Sequence, residues 1–248
     1  MRLRDKTAII TGAAGGFGEG MAKRFAEEGC NVVIADLKGD EAERVSRDIG
    51  ARAVAIEVDV TRAADNAAMV ETAKSHFGGL DIFVFNAGYT HRNQSLLDVD
   101  EASFDRVADV NMKALFHASK HVVPALKERG GGSILATAST AGLRPRPGLV
   151  WYNASKAWVI NACKCMAVEL APDNIRVNSL CPVAGETGML ADFMGEDTPE
   201  RRAQFQAVIP IGRFSQPRDM ANAALYLVSD EADFITGVAL EVDGGRCV

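Results

Sequence analysis

Tyr152 and Lys156 stand four residues apart in Tyr-Asn-Ala-Ser-Lys, which puts both side chains on one face of a helix. An ammonium beside a phenol stabilises the phenolate and draws its pKa down from about 10 towards the working pH. A phenol tuned in this way can pass a proton to or from an alcohol or carbonyl oxygen. The pair alone is also an ordinary amphipathic pattern. Other residues give it company: Ser139 in Ala-Ser-Thr-Ala-Gly, Asn111 inside a long helical stretch, and Asn86-Ala87-Gly88 closing an apolar run.

A second chemistry is written near the start. Thr11-Gly12-Ala13-Ala14-Gly15-Gly16-Phe17-Gly18 lies where a strand-like run gives way to a helical one. Glycines there let the backbone turn sharply and approach a pyrophosphate, and the helix start offers unpaired N–H groups to phosphate oxygens. The spacing is G-x-x-x-G-x-G, and a bare structural turn is the lesser competing explanation of the glycines alone. Asp36, at the end of the next strand, strengthens the functional reading. A carboxylate there accepts hydrogen bonds from ribose hydroxyls and repels a 2′-phosphate, which selects NAD over NADP. Leu37 follows it, and Lys38 is read as a solvated loop residue.

These groups need a frame that gathers strand ends. Strands are predicted at Thr7–Ile10, Asn31–Ala35, Ala53–Glu57, Asp81–Phe85, Ser133–Thr137, Ile175–Leu180 and Val238–Val242. Helices are predicted at Gly16–Glu28, Asp40–Asp48, Asp65–Phe77, Glu101–Arg129, Tyr152–Leu170 and Asp219–Leu227. Continuously apolar strands belong in a parallel sheet covered on both faces, and the alternation implies right-handed βαβ units. The expectation is a single-domain α/β, doubly wound, Rossmann-like sheet over 1–248. The polar, methionine-bearing stretch at 188–208 breaks the rhythm and reads as a substrate lid.

Taken together, the ordered set closely resembles the short-chain dehydrogenase/reductase family from Thr11 to Asp243-Gly244-Gly245. The resemblance implies that Tyr152 exchanges the proton, Ser139 bonds the substrate oxygen, and Lys156 bonds the nicotinamide ribose and depresses the tyrosine pKa. Asn111 would hold a water that links Lys156 to a proton relay. Asp59, with Val60 beside it, would meet the adenine edge, and Asn86, Ala87 and Gly88 would pass the adenosine ribose. Pro182, Val183, Gly185 and Thr187 fall in the segment around the nicotinamide, joining Gly12, Gly16, Phe17, Gly18, Asp36 and Leu37 as cofactor residues. Phe85 and Phe17 replace an asparagine and an isoleucine common in the family. Val183 stands where a glycine often follows the proline. A β-branched residue resists positive φ, so an ordinary backbone is expected there, with Gly185 compensating. A homotetramer is also implied, with the helices around Glu101–Arg129 and Trp151–Leu170 between subunits.

Composition bounds the alternatives. With 48% hydrophobic residues, 24% charged and a net charge of −6, the chain suits a filled globular core and argues against a nucleic-acid surface. No apolar run approaches a bilayer span or a signal peptide, so a cytoplasmic location is expected. Five scattered cysteines read as reduced thiols, and Cys163 and Cys165 point to different helix faces. His117 and His121 share a helix face without an evident third ligand, so no metal is expected. Trp151 reads as either packing or a substrate wall. Met189, Phe193 and Met194 suit either a lid or a small core cluster. Arg92, Arg144 and Arg146 follow strand ends and read first as solvated loop arginines, with contact to a substrate carboxylate or phosphate as the alternative.

The principal reading is therefore an NAD(H)-dependent oxidoreductase acting on a secondary alcohol or ketone. An NADPH-dependent 3-oxoacyl-carrier-protein reductase is the nearest alternative. A methyltransferase would share the turn and Asp36 but would not need Ser139, Tyr152 and Lys156. A non-catalytic dinucleotide sensor would not need them either.

Overall fold

The alternating apolar runs become the strands and amphipathic runs the helices in the computed structural model, which describes residues 1–248. In chain order they are β1 (Thr7–Thr11), α1 (Gly16–Glu27), β2 (Asn31–Asp36), α2 (Gly39–Ile49), β3 (Ala53–Glu57), α3 (Ala63–Phe77) and β4 (Ile82–Phe85). There follow α4 (Glu101–Ala108), α5 (Ala114–Glu128), β5 (Gly132–Thr137), α6 (Val150–Leu170) and β6 (Ile175–Pro182). The chain closes with α7 (Leu190–Met194), α8 (Pro199–Gln206), α9 (Pro217–Val228) and β7 (Ala239–Val242). All seven strands are parallel, in the order β3-β2-β1-β4-β5-β6-β7. The order reverses direction between β1 and β4, so connections leave that point towards opposite faces and open a crevice above it.

Every residue of β1 and β4 is buried, as a sheet covered on both faces requires. One apolar layer joins Ile9, Val33, Phe83 and Phe85 to Met69, Leu115, Val122, Val159 and Ile160 of α3, α5 and α6. The other joins Ile10, Ile34 and Val84 to Met21, Phe25, Ala224 and Leu225 of α1 and α9. On α1 the buried positions Gly18, Met21, Ala22 and Phe25 follow the helical period, which fixes the face turned to the sheet. Cys163 is buried and Cys165 exposed, in line with their opposite-face spacing. No helix is long and apolar enough to cross a membrane.

Two expectations change. The stretch predicted as one helix from Glu101 to Arg129 is interrupted by a π-helical turn at Asp109–Lys113, centred on Asn111. Such turns insert a residue without ending the helix and shift the side chains that follow. The segment 188–208 carries two short helices, and its apolar residues divide between roles. Met194 is buried with Leu190, Val183, Ile209 and Phe214 in a small core of its own, whereas Met189 and Phe193 face the crevice.

Candidate active site

A cleft of about 680 Å³ opens over the carboxyl ends of β1 and β4. Gly12 adopts φ +64°, and a Cβ there would lie 2.9 Å from the Ala87 Cα. Gly16 adopts φ +55°, which likewise favours glycine. Gly18 has an ordinary φ but no room: a Cβ would run into the Gly12 carbonyl and sit 2.7 Å from Asn86 Nδ2. Asn86 clamps the turn from below. Its Nδ2 donates to the carbonyls of Thr11 (3.0 Å) and Gly12 (3.1 Å), and its Oδ1 accepts from Thr137 Oγ1 (3.0 Å). Thr11 Oγ1 in turn accepts from the main-chain N–H groups of Asn86 (3.0 Å) and Ala87 (3.1 Å). The ends of β1, β4 and β5 are thus tied together. The side-chain-free turn at the start of α1 forms a cradle that fits a dinucleotide pyrophosphate.

Asp36 lies at one end of the cleft. Its two oxygens accept the main-chain N–H groups of Ala14 and Lys38, each at 3.0 Å, leaving lone pairs for further donors. Lys38 and Glu41 also line this end, a position that sequence reading did not assign to either. Arg44 reaches the Ala14 carbonyl at 3.1 Å but is paired with Glu19, Glu41 and Asp48. Its charge is therefore largely matched by its own neighbours.

The other end holds Tyr152, Lys156 and Ser139, all buried and all on the cleft wall. Lys156 Nζ lies 5.7 Å from the centre of the Tyr152 ring and donates to the Thr137 carbonyl at 2.9 Å. The expected lowering of the phenol pKa is not found here. Burial pushes Tyr152 up to about 12, with the Ser139 hydroxyl pulling the other way. Burial also brings the Lys156 ammonium down to about 8, which weakens its hold on a phenolate. Asn111 is fully buried behind the wall. Its Oδ1 accepts from the Tyr89 N–H (2.8 Å), and its Nδ2 donates to the Tyr89 carbonyl and to Ser155 Oγ, both at 2.9 Å. Both amide hydrogens are thus used by protein partners, while Oδ1 keeps a second lone pair. A Cβ at Gly88 would lie 3.4 Å from Lys156 Nζ and 3.5 Å from Asn111 Oδ1. Gly88 therefore lies against both.

The cleft also gathers Phe17, Ala87, Pro182, Val183, Gly185 and Thr187. Neither Val183 nor Gly185 takes a positive φ, so Gly185 does not compensate for Val183. Its smallness serves Phe17 instead: a Cβ at residue 185 would collide with the Phe17 ring and lie 2.7 Å from Ser215 Oγ. Leu37, Asp59 and Val60 are not on the wall. Leu37 is exposed, Val60 is buried, and Asp59 Oδ1 is engaged by the N–H (3.0 Å) and hydroxyl (2.7 Å) of Thr61. Trp151 turns away and packs edge-on against Phe104, with ring centres 5.3 Å apart, which makes it packing rather than wall. Arg144 and Arg146 line the cleft, but Arg92 lies outside it and donates to the Gly195 carbonyl at 3.0 Å. Sequence reading missed Leu149, Asn153 and Phe205, which share the Tyr152 end. Asn153 and Leu149 are close to Tyr152 in sequence and were open to that reading, whereas Phe205 is brought in by the fold.

A crevice at a topological switch point, with a glycine cradle at one side and a Ser-Tyr-Lys set at the other, defines a dinucleotide-linked oxidoreductase. The chain belongs to the short-chain dehydrogenase/reductase family. It matches the family model described as enoyl-(acyl carrier protein) reductase over residues 12–246. It is 46% identical to 4-formylbenzenesulfonate dehydrogenase of Comamonas testosteroni, covering 99% of each chain. Among solved structures, 3-ketoacyl-(acyl-carrier-protein) reductase from Brucella melitensis complexed with NADH is 48% identical. That match has a TM-score of 0.94 and covers 99% of this chain and 100% of the other. A 7α-hydroxysteroid dehydrogenase complexed with NADH and 7-oxo glycochenodeoxycholic acid is 37% identical, with a TM-score of 0.92, covering 98% and 95%. The chain is an oxidoreductase acting on CH–OH groups with a nicotinamide cofactor.

Proposed function

We propose that the protein is an NAD(H)-dependent dehydrogenase that interconverts a secondary alcohol and its ketone, with Tyr152 as general acid and base. The observation that carries this reading is the convergence of Tyr152, Ser139 and Lys156 with the glycine turn and Asp36 on one cleft. The nicotinamide, when bound, supplies or accepts the hydride. Gly12, Gly16, Phe17, Asp36, Ala87, Gly88, Pro182, Val183 and Thr187 would hold the dinucleotide, with Gly18, Asn86 and Gly185 shaping the walls around it. Ser139 Oγ and the Tyr152 hydroxyl would meet the substrate oxygen. In the reductive direction Tyr152 gives up its proton to that oxygen, and Lys156 steadies the phenolate left behind.

The raised phenol pKa fixes the pH dependence. Reduction uses the protonated phenol, which is the dominant form at neutral pH. Oxidation needs the ionised form, whose fraction grows with every step of pH towards about 12. The rate of alcohol oxidation should therefore climb from pH 7 through pH 9, while ketone reduction holds level or falls. Initial rates in both directions check this; oxidation already level by pH 6 would contradict it.

The choice of NAD rests on Asp36, whose charge would face a 2′-phosphate while Arg44 is occupied by its carboxylates. Asp36→Ala should lower the NAD:NADP ratio of kcat/KM by roughly tenfold or more, a change of about 1.4 kcal/mol. Steady-state kinetics with both cofactors test it, and an unchanged ratio would assign the selection elsewhere. The alternative of an NADPH-dependent 3-oxoacyl-carrier-protein reductase draws support from the Brucella relative's name, but that relative is described with NADH.

The chain would act as one domain, with 188–208 covering the substrate. A homotetramer is supported by exposed apolar side chains on α4, α5 and α6, namely Phe104, Phe116, Trp158 and Val168. A cytoplasmic setting accords with free cysteines throughout.

A further inference from the structure

The Tyr152 end of the cleft carries positive charge that proton transfer does not use. Arg144 and Arg146 sit on the loop between the short helix Thr140–Gly142 and α6, and both line the cleft. Arg246 lies near enough for its charge to act on Arg146. Elsewhere Arg44, Arg202 and Arg213 are paired with carboxylates. Arg144, Arg146 and Arg246 have no aspartate or glutamate within salt-bridge distance. The Arg146 guanidinium rests on the Phe205 ring, 4.6 Å from its centre, and donates to no protein acceptor. Burial, and then the charge of Arg246, hold it down at about 10, a cost that a nearby anion would remove. Arg246 Nε is buried without a partner. Arg144 donates to the main-chain oxygens of Arg246 (2.7 Å) and Val248 (3.4 Å), which fastens the arginine loop to the chain's last residues.

The loop is also fixed relative to the reacting residues. The Arg146 carbonyl accepts from Asn153 Nδ2 at 2.8 Å, and Asn153 adjoins Tyr152. Gly148, at φ +81°, turns the chain so that its carbonyl accepts from the Gln94 N–H at 3.0 Å. Leu149, Met189, Phe193 and Phe205 give the same cleft an apolar lining, with Phe205 under Arg146. The Phe193 ring lies 5.1 Å from that of Tyr152.

We propose that this end of the cleft is an anion subsite, in which Arg146, with Arg144 and Arg246 behind it, receives a carboxylate or sulfonate. The substrate would carry that group on an apolar ring, at the end remote from the carbon that exchanges hydride. A guanidinium offers parallel N–H donors that match the oxygens of such a group, and a half-buried setting strengthens the attraction. Aromatic and aliphatic walls supply contact area for a ring and no competing donors. The protein as a whole, at a net charge of −6, gives an anion no general welcome, so the local cluster is what selects it.

The inference rests on Tyr152 marking the reacting end, and one experiment separates the two ideas. NADH-linked kcat/KM would be measured for 4-acetylbenzoate, 4-acetylbenzenesulfonate and neutral 4-methylacetophenone. Calorimetry on the NADH-loaded enzyme would give Kd for benzoate and benzenesulfonate. Wild type, Arg146→Gln, Arg146→Lys and Arg246→Gln would be compared, with NADH fluorescence confirming an intact cofactor site. The wild type should favour at least one charged ketone over the neutral one by roughly tenfold or more. Arg146→Gln should bring that ratio close to one and weaken the matching anion by a similar factor. Arg146→Lys should keep part of the preference, and Arg246→Gln should reduce it without abolishing it. Turnover with no charge preference, or a preference unmoved by Arg146→Gln, overturns the subsite and leaves the dehydrogenase reading standing. Arg146-dependent anion binding without turnover of any ketone upholds the subsite and overturns the reading of Tyr152. Absence of both turnover and anion binding overturns the subsite.

Discussion

Replacing Tyr152 by phenylalanine should cut kcat/KM by roughly 10²–10⁴-fold in both directions while leaving NADH affinity nearly unchanged. The ring is buried and packs on Phe193, and phenylalanine keeps that packing while removing only the oxygen that would hold the proton. The fold should therefore survive, with a melting temperature close to that of the wild type. Hydride can still be positioned over a carbonyl in this variant, and Ser139 can still hydrogen-bond its oxygen, but the group that would hand that oxygen a proton is gone. Steady-state rates beside NADH fluorescence titration distinguish loss of chemistry from loss of binding. Turnover near the wild-type rate would move the proton-transfer role to another group.

The second large effect is expected at Gly18. A methyl group there would overlap the Gly12 carbonyl and come within 2.9 Å of the Ala13 Cα and 2.7 Å of Asn86 Nδ2. Two of these neighbours are backbone in the phosphate turn, and the third is the amide that ties β1, β4 and β5 together. None can retreat without opening the turn. Gly18→Ala should cost on the order of 1–3 kcal/mol of stability, the usual range for an overfilled core. At about 2–4 °C per kcal/mol for a chain of this size, thermal denaturation would register it readily. The same displacement should weaken NADH binding by roughly 5–150-fold, because the turn's N–H groups no longer converge. A variant that melts and binds like the wild type would mean that α1 can shift along the sheet at little cost.

Much of this site was legible because strand ends and helix starts are local properties. The glycine turn, Asp36, Asn86, Ser139 and the Tyr152–Lys156 pair all sit where the alternation of elements puts them. What stayed hidden depends on direction and depth. Asp59 and Val60 follow the end of a strand as Asp36 ends one, yet one carboxylate turns to Thr61 and the valine is buried. Trp151 adjoins Tyr152 in sequence, but one helical step of 100° carries it to Phe104. The π-helical turn around Asn111 is a shift in hydrogen-bond register, which hydrophobic periodicity does not encode. The tyrosine pKa went the other way from the sequence argument because a four-residue spacing fixes neighbours, not the burial of both groups.

The packing of Phe17 into the space left by Gly185 makes two positions 168 residues apart sterically interdependent. A mutant library varied only at residue 185 would reject almost every side chain, because the ring already occupies the room. Shrinking residue 17 first would open that path. Substitutions at the two positions should therefore not add, and the order in which they are made decides which cleft shapes can be built.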